Sequence, residues 1–593
     1  MVKRKKKSLL DYLKKWEVVV IFFKTLSAYR YILLLAVLSI GFLASIVRYS
    51  LRTYYVPVWD DQHFIYMAAE YYRLLKNPTL DTLYQMMRII PYRQPGYSLL
   101  ILPFLIVFGL SNSLFWGLFT NGLLHVASIF GVYIISRNYL TRLASFLAAF
   151  IFAFYGWTLY FAHFTYSETA TSALTIWTVL FLIKSRFFQS RKYSILFGLL
   201  LGLGLLTRWV TIVFISGPLL YSFYHIIKNQ IFRKKIILNF VISFSTAFMV
   251  SFYPYYINAR WLLSYFTEHR VGGEIWNILA ESDRNLFSLY SLTFYLHSFM
   301  QLGFLFFLLI VAGVLLSFKK SSKLKLILLA VVIPWGFFSF FSIIKGDRYI
   351  VPIYPYLAIL SAGVFDFIKN KKYKFLLIII TVFLSICTFL GTVWGKGPMS
   401  KNLQTVTVPL PYNLSFNVYL TAISRPPNIY KSNGEEVIEY IKKDAEINKI
   451  KKPLILELFY YHPLNNRIEA YNTYNLEESL NIYNFTGLII ENPEEQTNHL
   501  INGVINKADY ILIKTGERTD DYFQRKNYKT LKSVLYLFDN YLSVQDYYEE
   551  IAKIWIYQDS SEVRILKKKN EINDQELKEM EVTLIRLLKI TSE

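Results

Sequence analysis

Long apolar segments recur between residues 31 and 394, and they constrain the fold of this chain more than any other feature. A helix needs about 20 predominantly apolar residues to cross the hydrocarbon core of a bilayer. Many segments here approach or exceed that length, and 54% of the 593 residues are apolar. The pattern predicts a mainly helical, polytopic membrane protein.

We expect eleven membrane spans and one short apolar helix. The spans are predicted at 31–49, 112–136, 142–162, 167–185, 193–207, 209–227, 236–257, 293–317, 326–343, 350–368 and 375–394. The segment 98–110 has 13 residues and contains Pro103. A helix of that length rises about 20 Å, whereas the hydrocarbon core is about 30 Å thick. We therefore interpret 98–110 as a re-entrant or juxtamembrane helix.

The distribution of basic residues supports this topology. The chain has 64 basic and 41 acidic residues, and basic clusters occupy the loops 137–142, 184–192, 228–235, 319–325 and 369–374. The positive-inside rule places all five loops in the cytoplasm only if 98–110 does not cross. We therefore expect a multi-pass protein of the plasma (inner) membrane with a cytoplasmic N-terminus. This placement explains the net charge of +23 better than nucleic-acid binding does.

The two ends of the chain differ from its apolar part. The basic stretch 3–30 predicts an interfacial helix, and 31–49 is expected to be an uncleaved first span. Beyond 394 the chain is more polar. Helical patterns occur at 434–444, 493–505 and 571–590, strand patterns at 454–460 and 509–514, and a hairpin pattern at 553–557 and 563–567. We predict a transmembrane domain at 1–394 and an extracytoplasmic α/β domain with a mainly parallel sheet at 395–593.

The first outer loop, predicted at 50–97, opens with a pair of acids. Asp60 and Asp61 follow Trp59 close to the predicted membrane boundary. Carboxylates there must face water or a partner, because burying them unpaired is costly. This indicates a catalytic loop, although Asp60 could also be an ordinary helix N-cap.

Six motifs follow one another on the predicted outer face. They are W-D-D at 59–61, R-Q-P-G-Y at 93–97, S-E at 167–168, L-T-R at 206–208, P-Y-Y-I-N-A-R at 254–260 and D-R-Y-I-V-P-I-Y-P at 347–355. In this order they resemble the GT-C membrane glycosyltransferases over roughly 30–370, in particular the dolichyl-phosphate-mannose protein mannosyltransferases and the lipid A aminoarabinose transferases. The resemblance implies a sugar donor carried on a polyprenyl phosphate, and a protein, lipid or glycan acceptor at the outer face.

The resemblance also implies which acids take part in the reaction. Asp60 matches the acidic position at which a carboxylate takes the acceptor's proton. Asp61 and Glu168 are the further catalytic candidates. Relatives often have Glu at the position of Asp61, so its role stays open. Glu168 could instead be an acid that is favourably placed at a helix N-terminus.

Fixed cations are needed where charge develops on the leaving phosphate. The candidates are Arg208, Arg348, Lys345, Arg93 and Arg260. Arg208 could instead extend along the membrane interface, and Arg93 could pair with the acids of the loop. A divalent metal ion held by Asp60, His163 and Glu168 stays open as a cofactor, although a lone histidine near an interface more often has a structural role.

Two other functions compete with this interpretation. A flippase or transporter of lipid-linked sugars should show charged residues in mid-span and related halves, but the ionisable residues gather on one face and no repeat is evident. A glycan ligase or polymerase differs only in donor and acceptor, and the loop lengths do not exclude it. The single cysteine, Cys387, excludes a disulfide within the chain.

Overall fold

The structure is a computed structural model. It describes residues 29–53, 60–110, 112–229, 234–263, 289–319, 324–341, 346–396, 405–410, 414–419, 434–459, 481–484, 497–498, 500–515, 529–540, 544–556 and 561–590. The interfacial helix predicted at 3–30 lies almost entirely outside these ranges. The chain divides into two compact units. The larger comprises Met1–Leu51, Glu70–Ser264 and Arg284–Pro427, and the smaller comprises Arg52–Ala69, Tyr265–Asp283 and Asn428–Glu593. The predicted domain boundary at 394 stays a prediction.

Helices account for most of the described residues up to 396. They run over Tyr29–Arg52, Asp60–Lys76, Thr82–Arg88, Gly96–Phe108, Ser113–Ser136, Arg142–Phe154, Gly156–Ala162, Glu168–Lys184, Arg191–Thr207, Thr211–Lys228, Lys234–Ile257, Leu289–Met300, Phe304–Lys319, Lys325–Phe340, Tyr354–Phe367 and Lys371–Trp394. A 3₁₀ helix, Asp347–Ile353, precedes Tyr354–Phe367. Each of the eleven predicted segments is therefore largely helical.

Five of the described helices are long and apolar enough to cross a membrane: Tyr29–Arg52, Ser113–Ser136, Lys234–Ile257, Asp347–Phe367 and Lys371–Trp394. Two bent helix pairs raise this number to seven if each is one span. The helices Arg142–Phe154 and Gly156–Ala162 meet at 58°, and Phe294–Met300 and Phe304–Phe318 meet at 118°. Eleven crossings thus stay a prediction.

The short apolar element is present as a helix, Gly96–Phe108, with Pro103 inside it. Its 13 residues match the predicted length, and whether it crosses stays a prediction.

Small residues allow helices to pack closely, as in many membrane proteins. A Cβ atom on Gly198 would lie 2.1 Å from the carbonyl oxygen of Ser243, so the helices Arg191–Thr207 and Lys234–Ile257 approach at backbone distance.

The strands lie beyond residue 404. Strands β1 (Thr405–Leu410) and β2 (Leu414–Tyr419) form an antiparallel pair in the larger unit. The smaller unit has a five-stranded sheet in the order β4-β3-β5-β7-β6. Its strands are β3 (Leu454–Glu457), β4 (Asn481–Asn484), β5 (Tyr510–Lys514), β6 (Tyr548–Ile556) and β7 (Ser561–Lys568).

The sheet is mixed, which corrects the prediction of a mainly parallel one. Strand β3 pairs in parallel with β4 and β5, but the hairpin of β6 and β7 adds two antiparallel pairings at the side of β5. Side chains alternate between two cores. Ile455 and Leu512 pack on the face of the helix Gly434–Ile447, and Leu456 and Ile511 lie in the other core. The helices predicted at 434–444 and 571–590 and both strand patterns are confirmed, whereas the helix predicted at 493–505 lies partly outside the described residues and is observed over Ile501–Ile505.

Candidate active site

Glu168 lies at the centre of a charged cluster in the larger unit. It begins the helix Glu168–Lys184 and is 2% exposed. Arg208 Nη1 donates to Glu168 Oε1 at 2.8 Å, and Arg348 Nε lies 3.9 Å from the same oxygen. The other oxygen, Oε2, is buried and accepts no hydrogen bond from the part of the chain that the structure describes. Three predicted site residues, far apart in sequence, therefore meet at one carboxylate.

The backbone at the end of the helix Arg191–Thr207 presents Arg208 to this carboxylate. Arg208 has an extended conformation, with φ −155° and ψ 131°, and the next helix begins at Thr211. The Thr211 hydroxyl donates to the Gly204 carbonyl at 2.8 Å and closes the break between the two helices. A buried arginine is costly without a counter-charge, and Glu168 supplies it.

The R-Q-P-G-Y motif packs directly against the segment that leads into Arg208. A Cβ atom on Gly96 would lie 2.6 Å from the Leu206 carbonyl carbon and 2.7 Å from the Thr207 nitrogen. Real Cβ atoms essentially never come so close to backbone atoms, so only glycine fits here without movement. Gly96 therefore allows the short apolar helix to support the backbone next to Arg208.

Two tyrosines surround Arg348. Its guanidinium lies 5.5 Å from the centre of the Tyr166 ring and 5.2 Å from that of Tyr349. Arg208 lies 5.6 Å from the same Tyr349 ring. Aromatic faces attract guanidinium groups within about 6 Å. Next to Arg348, the Ser298 hydroxyl donates to Asp347 Oδ1. Arg348 is thus held in place while its side chain remains 28% exposed.

Asn121 and the role of Tyr166 were not predicted from the sequence. Asn121 lies inside the apolar helix Ser113–Ser136, is fully buried, and donates from Nδ2 to the carbonyls of Phe164 and Tyr166. A polar amide in a segment of spanning length is itself a signal of a specific contact. Tyr166 had no comparable signal, because aromatic residues are frequent throughout this chain.

Arg93 and Arg260 do not belong to the Glu168 cluster. Arg93 lines a separate, small and partly open pocket together with Pro91, Gln94, Pro95, Pro254, Tyr255, Asn258 and Leu262. Buried Asn258 donates to the Met87 carbonyl at 2.7 Å and connects the end of the helix Lys234–Ile257 to the helix Thr82–Arg88. Arg260 is exposed. The structure therefore offers two places with cationic side chains.

His163 is buried, and its contacts are to the backbone and to aromatic side chains. Its Nδ1 lies 2.7 Å from the Leu159 carbonyl oxygen, and its ring lies 4.6 Å from the ring of Tyr49. Within the described ranges, no three His, Cys, Asp or Glu side chains are close enough to hold a metal ion. Glu168 Oε1 is also already engaged by Arg208. A metal site that includes Asp60 stays a prediction.

The side chains of three predicted site residues are outside the described part of the structure. The backbone of Asp60 and Asp61 begins the helix Asp60–Lys76, but their side chains are not described. Lys345 falls in the undescribed segment 342–345. The roles assigned to these residues stay predictions.

The chain resembles known proteins in sequence over one segment and in fold over most of its length. A family model described as dolichyl-phosphate-mannose-protein mannosyltransferase matches residues 93–257. A crystal structure of ArnT from Cupriavidus metallidurans in the apo state matches with a TM-score of 0.52 and 12% identity, over 91% of this chain and 98% of that chain. ArnT from the same organism bound to undecaprenyl phosphate matches with a TM-score of 0.50, the same identity and the same coverage. A search of curated proteins found no significant match.

These matches confirm the predicted resemblance to the GT-C glycosyltransferases. The family model covers four of the six motifs in whole or in part, from Arg93 to Ile257. The ArnT structures extend the likeness of fold over nearly the whole chain. The predicted fold class, a helical GT-C membrane protein with a small C-terminal sheet domain, is confirmed, and the chain is an integral membrane protein.

Proposed function

We propose that this protein is a membrane glycosyltransferase that moves a sugar from a polyprenyl-phosphate donor to a protein, lipid or glycan acceptor at the extracytoplasmic face. The observation that carries the proposal is the meeting of Arg208 and Arg348 at the buried Glu168 carboxylate. A leaving phosphate needs fixed cations that do not have to reorganise during the reaction. The match to ArnT solved with undecaprenyl phosphate supports a donor of this class.

In the proposed reaction, an acceptor hydroxyl or amine attacks the anomeric carbon of the sugar. The attack comes from the face opposite the bond between that carbon and the phosphate oxygen. This bond breaks, the configuration inverts, and polyprenyl phosphate leaves. Asp60 takes the acceptor's proton as the general base. Arg208 and Arg348 stabilise the charge that develops on the phosphate. Glu168 orients the two arginines, since its Oε1 accepts from Arg208 and lies near Arg348.

The other predicted residues enter the proposal at the donor. Arg93 and its pocket provide a second place for an anionic group, with Arg260 and Lys345 as further cations. Asp61 supports Asp60, alone or through a divalent metal ion. The domain at 395–593 lies on the extracytoplasmic side, and the protein resides in the plasma (inner) membrane.

The experiment that tests this function uses purified full-length protein and synthetic polyprenyl-phosphate sugars labelled in the sugar. Transfer to an added acceptor or to water should release polyprenyl phosphate, and Asp60→Asn should abolish this release. Movement of the intact lipid-linked sugar across the membrane of reconstituted vesicles, without release of polyprenyl phosphate, would instead identify a flippase. Activity confined to pyrophosphate-linked oligosaccharides would identify a ligase or polymerase.

A further inference from the structure

Asn121 holds the segment that carries Tyr166 and Glu168. We infer that it is a positioning residue for the transfer reaction, acting through Glu168 on the two arginines. The inference rests on the proposed function, because it assigns Asn121 to the same site. None of the six sequence motifs contains this residue.

The contacts of Asn121 converge on one turn. Its Nδ2 donates to the carbonyl of Phe164 and to that of Tyr166 at 3.2 Å, and lies 3.5 Å from the carbonyl of Phe161. The helix Gly156–Ala162 ends within this stretch, where carbonyls no longer have a continuing helix to pair with. A single buried amide therefore links three carbonyls along the chain from 161 to 166.

This path sets the geometry of the charged cluster. The carbonyl of Tyr166 is held by Asn121, while the ring of Tyr166 lies 5.5 Å from the guanidinium of Arg348. Two residues later, Glu168 Oε1 accepts from Arg208 at 2.8 Å. A shift of the turn would therefore move both the aromatic and the anionic partner of the arginines. Glu168 Oε1 and Arg348 Nε are already 3.9 Å apart, so a small further shift would break this contact.

The chemistry of the side chain explains why asparagine occupies this position. An amide NH₂ group offers two donor hydrogens that can be shared among neighbouring carbonyls. Alanine would leave those carbonyls without this donor in a buried place. Ionised aspartate, with the same shape, can only accept hydrogen bonds and would repel the carbonyl oxygens.

A second buried asparagine provides a matched control for a purely structural role. Asn239 is 1% exposed, and its Nδ2 donates to the Phe188 carbonyl at 2.8 Å. Phe188 follows the other end of the helix Glu168–Lys184. Asn239→Ala thus removes the same kind of contact at a distance from the charged cluster.

The test measures kcat, KM and Tm for full-length Asn121→Ala and Asn239→Ala, alone and combined with Glu168→Gln. Asn121→Ala should lower kcat at least tenfold, whereas Asn239→Ala should lower Tm and change kcat less than twofold. Added to Glu168→Gln, Asn121→Ala should lower kcat by no more than twofold, because its effect passes through Glu168. Asn121→Ser retains one donor and should recover part of the lost kcat.

Two results would overturn the inference. In the first, Asn121→Ala lowers Tm as Asn239→Ala does and leaves kcat unchanged. In the second, its tenfold loss persists undiminished in the Glu168→Gln background. If Asn121→Ala does not fold, Asn121→Ser and Asn121→Asp are judged by the same two criteria. A wild-type protein that releases no polyprenyl phosphate contradicts the proposed function instead, before any variant is compared.

Discussion

Arg208 and Glu168 form a largely buried ion pair, with Arg208 Nη1 2.8 Å from Glu168 Oε1 and side chains that are 16% and 3% exposed. Arg348 approaches the same oxygen at 3.9 Å and is 28% exposed. The two arginines therefore differ in their distance from this oxygen and in their exposure. Removing one partner of a buried pair typically costs about 3–5 kcal/mol, because the other charge is left uncompensated.

We predict that this difference separates the effects of Arg208→Ala and Arg348→Ala. Arg208→Ala should lower both Tm and turnover, since Glu168 is left buried without its closest cation. Arg348→Ala should keep a near-normal Tm while turnover falls by about two to three orders of magnitude. Thermal unfolding and release of polyprenyl phosphate measure the two effects.

The neutral double variant Arg208→Met with Glu168→Gln is the control. It should regain most of the lost Tm without regaining turnover. A normal Tm for Arg208→Ala would show that the ion pair does not support the fold. Near-normal turnover for both arginine variants would place the donor phosphate elsewhere, with the pocket at Arg93 as the next candidate.

The second prediction concerns Gly96, where an added Cβ would lie 2.6 Å from the Leu206 carbonyl carbon. Gly96→Ala should displace the backbone next to Arg208, because the obstacle is backbone and cannot rotate away. We expect a lower Tm and at least a tenfold loss of turnover. Gly336→Ala is the control, since a Cβ there meets nothing within 4 Å. Equal behaviour of the two variants would contradict the proposed support.

Sequence patterns predicted the helices and the candidate charges because both depend on local information. The apolar period and length predict a helix, and an acid or arginine at a predicted span end is visible in the sequence. The pairing of Glu168 with Arg208 was not predictable, since it depends on the approach of separate helices. Asn121 could have been identified as the buried amide of an apolar segment. The three carbonyls that it contacts, however, come near it only in the folded chain.

Helix bends and strand directions were not predicted from the sequence, because they too depend on the folded chain. The predicted span 293–317 is broken at Gly303, which has a φ of +119°, and the two helices meet at 118°. Hydropathy averages over such a break and does not reveal it. The hairpin of β6 and β7 was predicted, but which strand it would join was not, so a mainly parallel sheet was expected where the sheet is mixed.

The third prediction concerns topology. Reporter fusions at positions 190 and 430 should report the cytoplasmic and the extracytoplasmic side, respectively. The reason is the charge of the five basic loops, which all lie in the cytoplasm only if Gly96–Phe108 does not cross. A fusion at 230 should agree with the one at 190. Fusions at 190 and 430 on the same side would contradict the proposed location of the site.

The fourth prediction concerns the pH dependence of the C-terminal sheet. The Tyr510 hydroxyl donates to Asp444 Oδ2 at 2.6 Å, and Lys567 Nζ lies 2.9 Å from the same oxygen. Burial alone would raise the pKa of Asp444, but the hydrogen bonds from Tyr510 and Lys567 and the charge of Lys567 outweigh it and lower the pKa. The stabilisation is therefore complete above the ordinary pKa of about 3.9 and disappears as the pH falls through the lowered value.

Asp444→Asn should accordingly speed amide hydrogen exchange in β5 at pH 7, and the difference from wild type should shrink as the pH falls below about 4. Mass spectrometry of the full-length protein, compared at each pH, measures this. Glu446→Gln, an exposed position on the same helix, should have no such effect. A difference that is constant between pH 7 and pH 3 would show that the charge of Asp444 does not stabilise the sheet.

The fifth prediction is that Asp60 is the catalytic carboxylate. It stands at the start of the helix Asp60–Lys76, at the position to which the resemblance to the GT-C glycosyltransferases assigns the acid. Asp60→Asn keeps the shape of the side chain but removes the base, so donor binding should persist while transfer falls about a hundredfold or more. Asp61→Asn is the matched control and should have a smaller effect unless a metal ion bridges the pair. A chelator separates these cases, because activity that is lost and then restored by a divalent ion would support the metal. If Asp60→Asn transfers sugar at close to the wild-type rate, the proposed base is wrong and Glu168 becomes the next carboxylate to test.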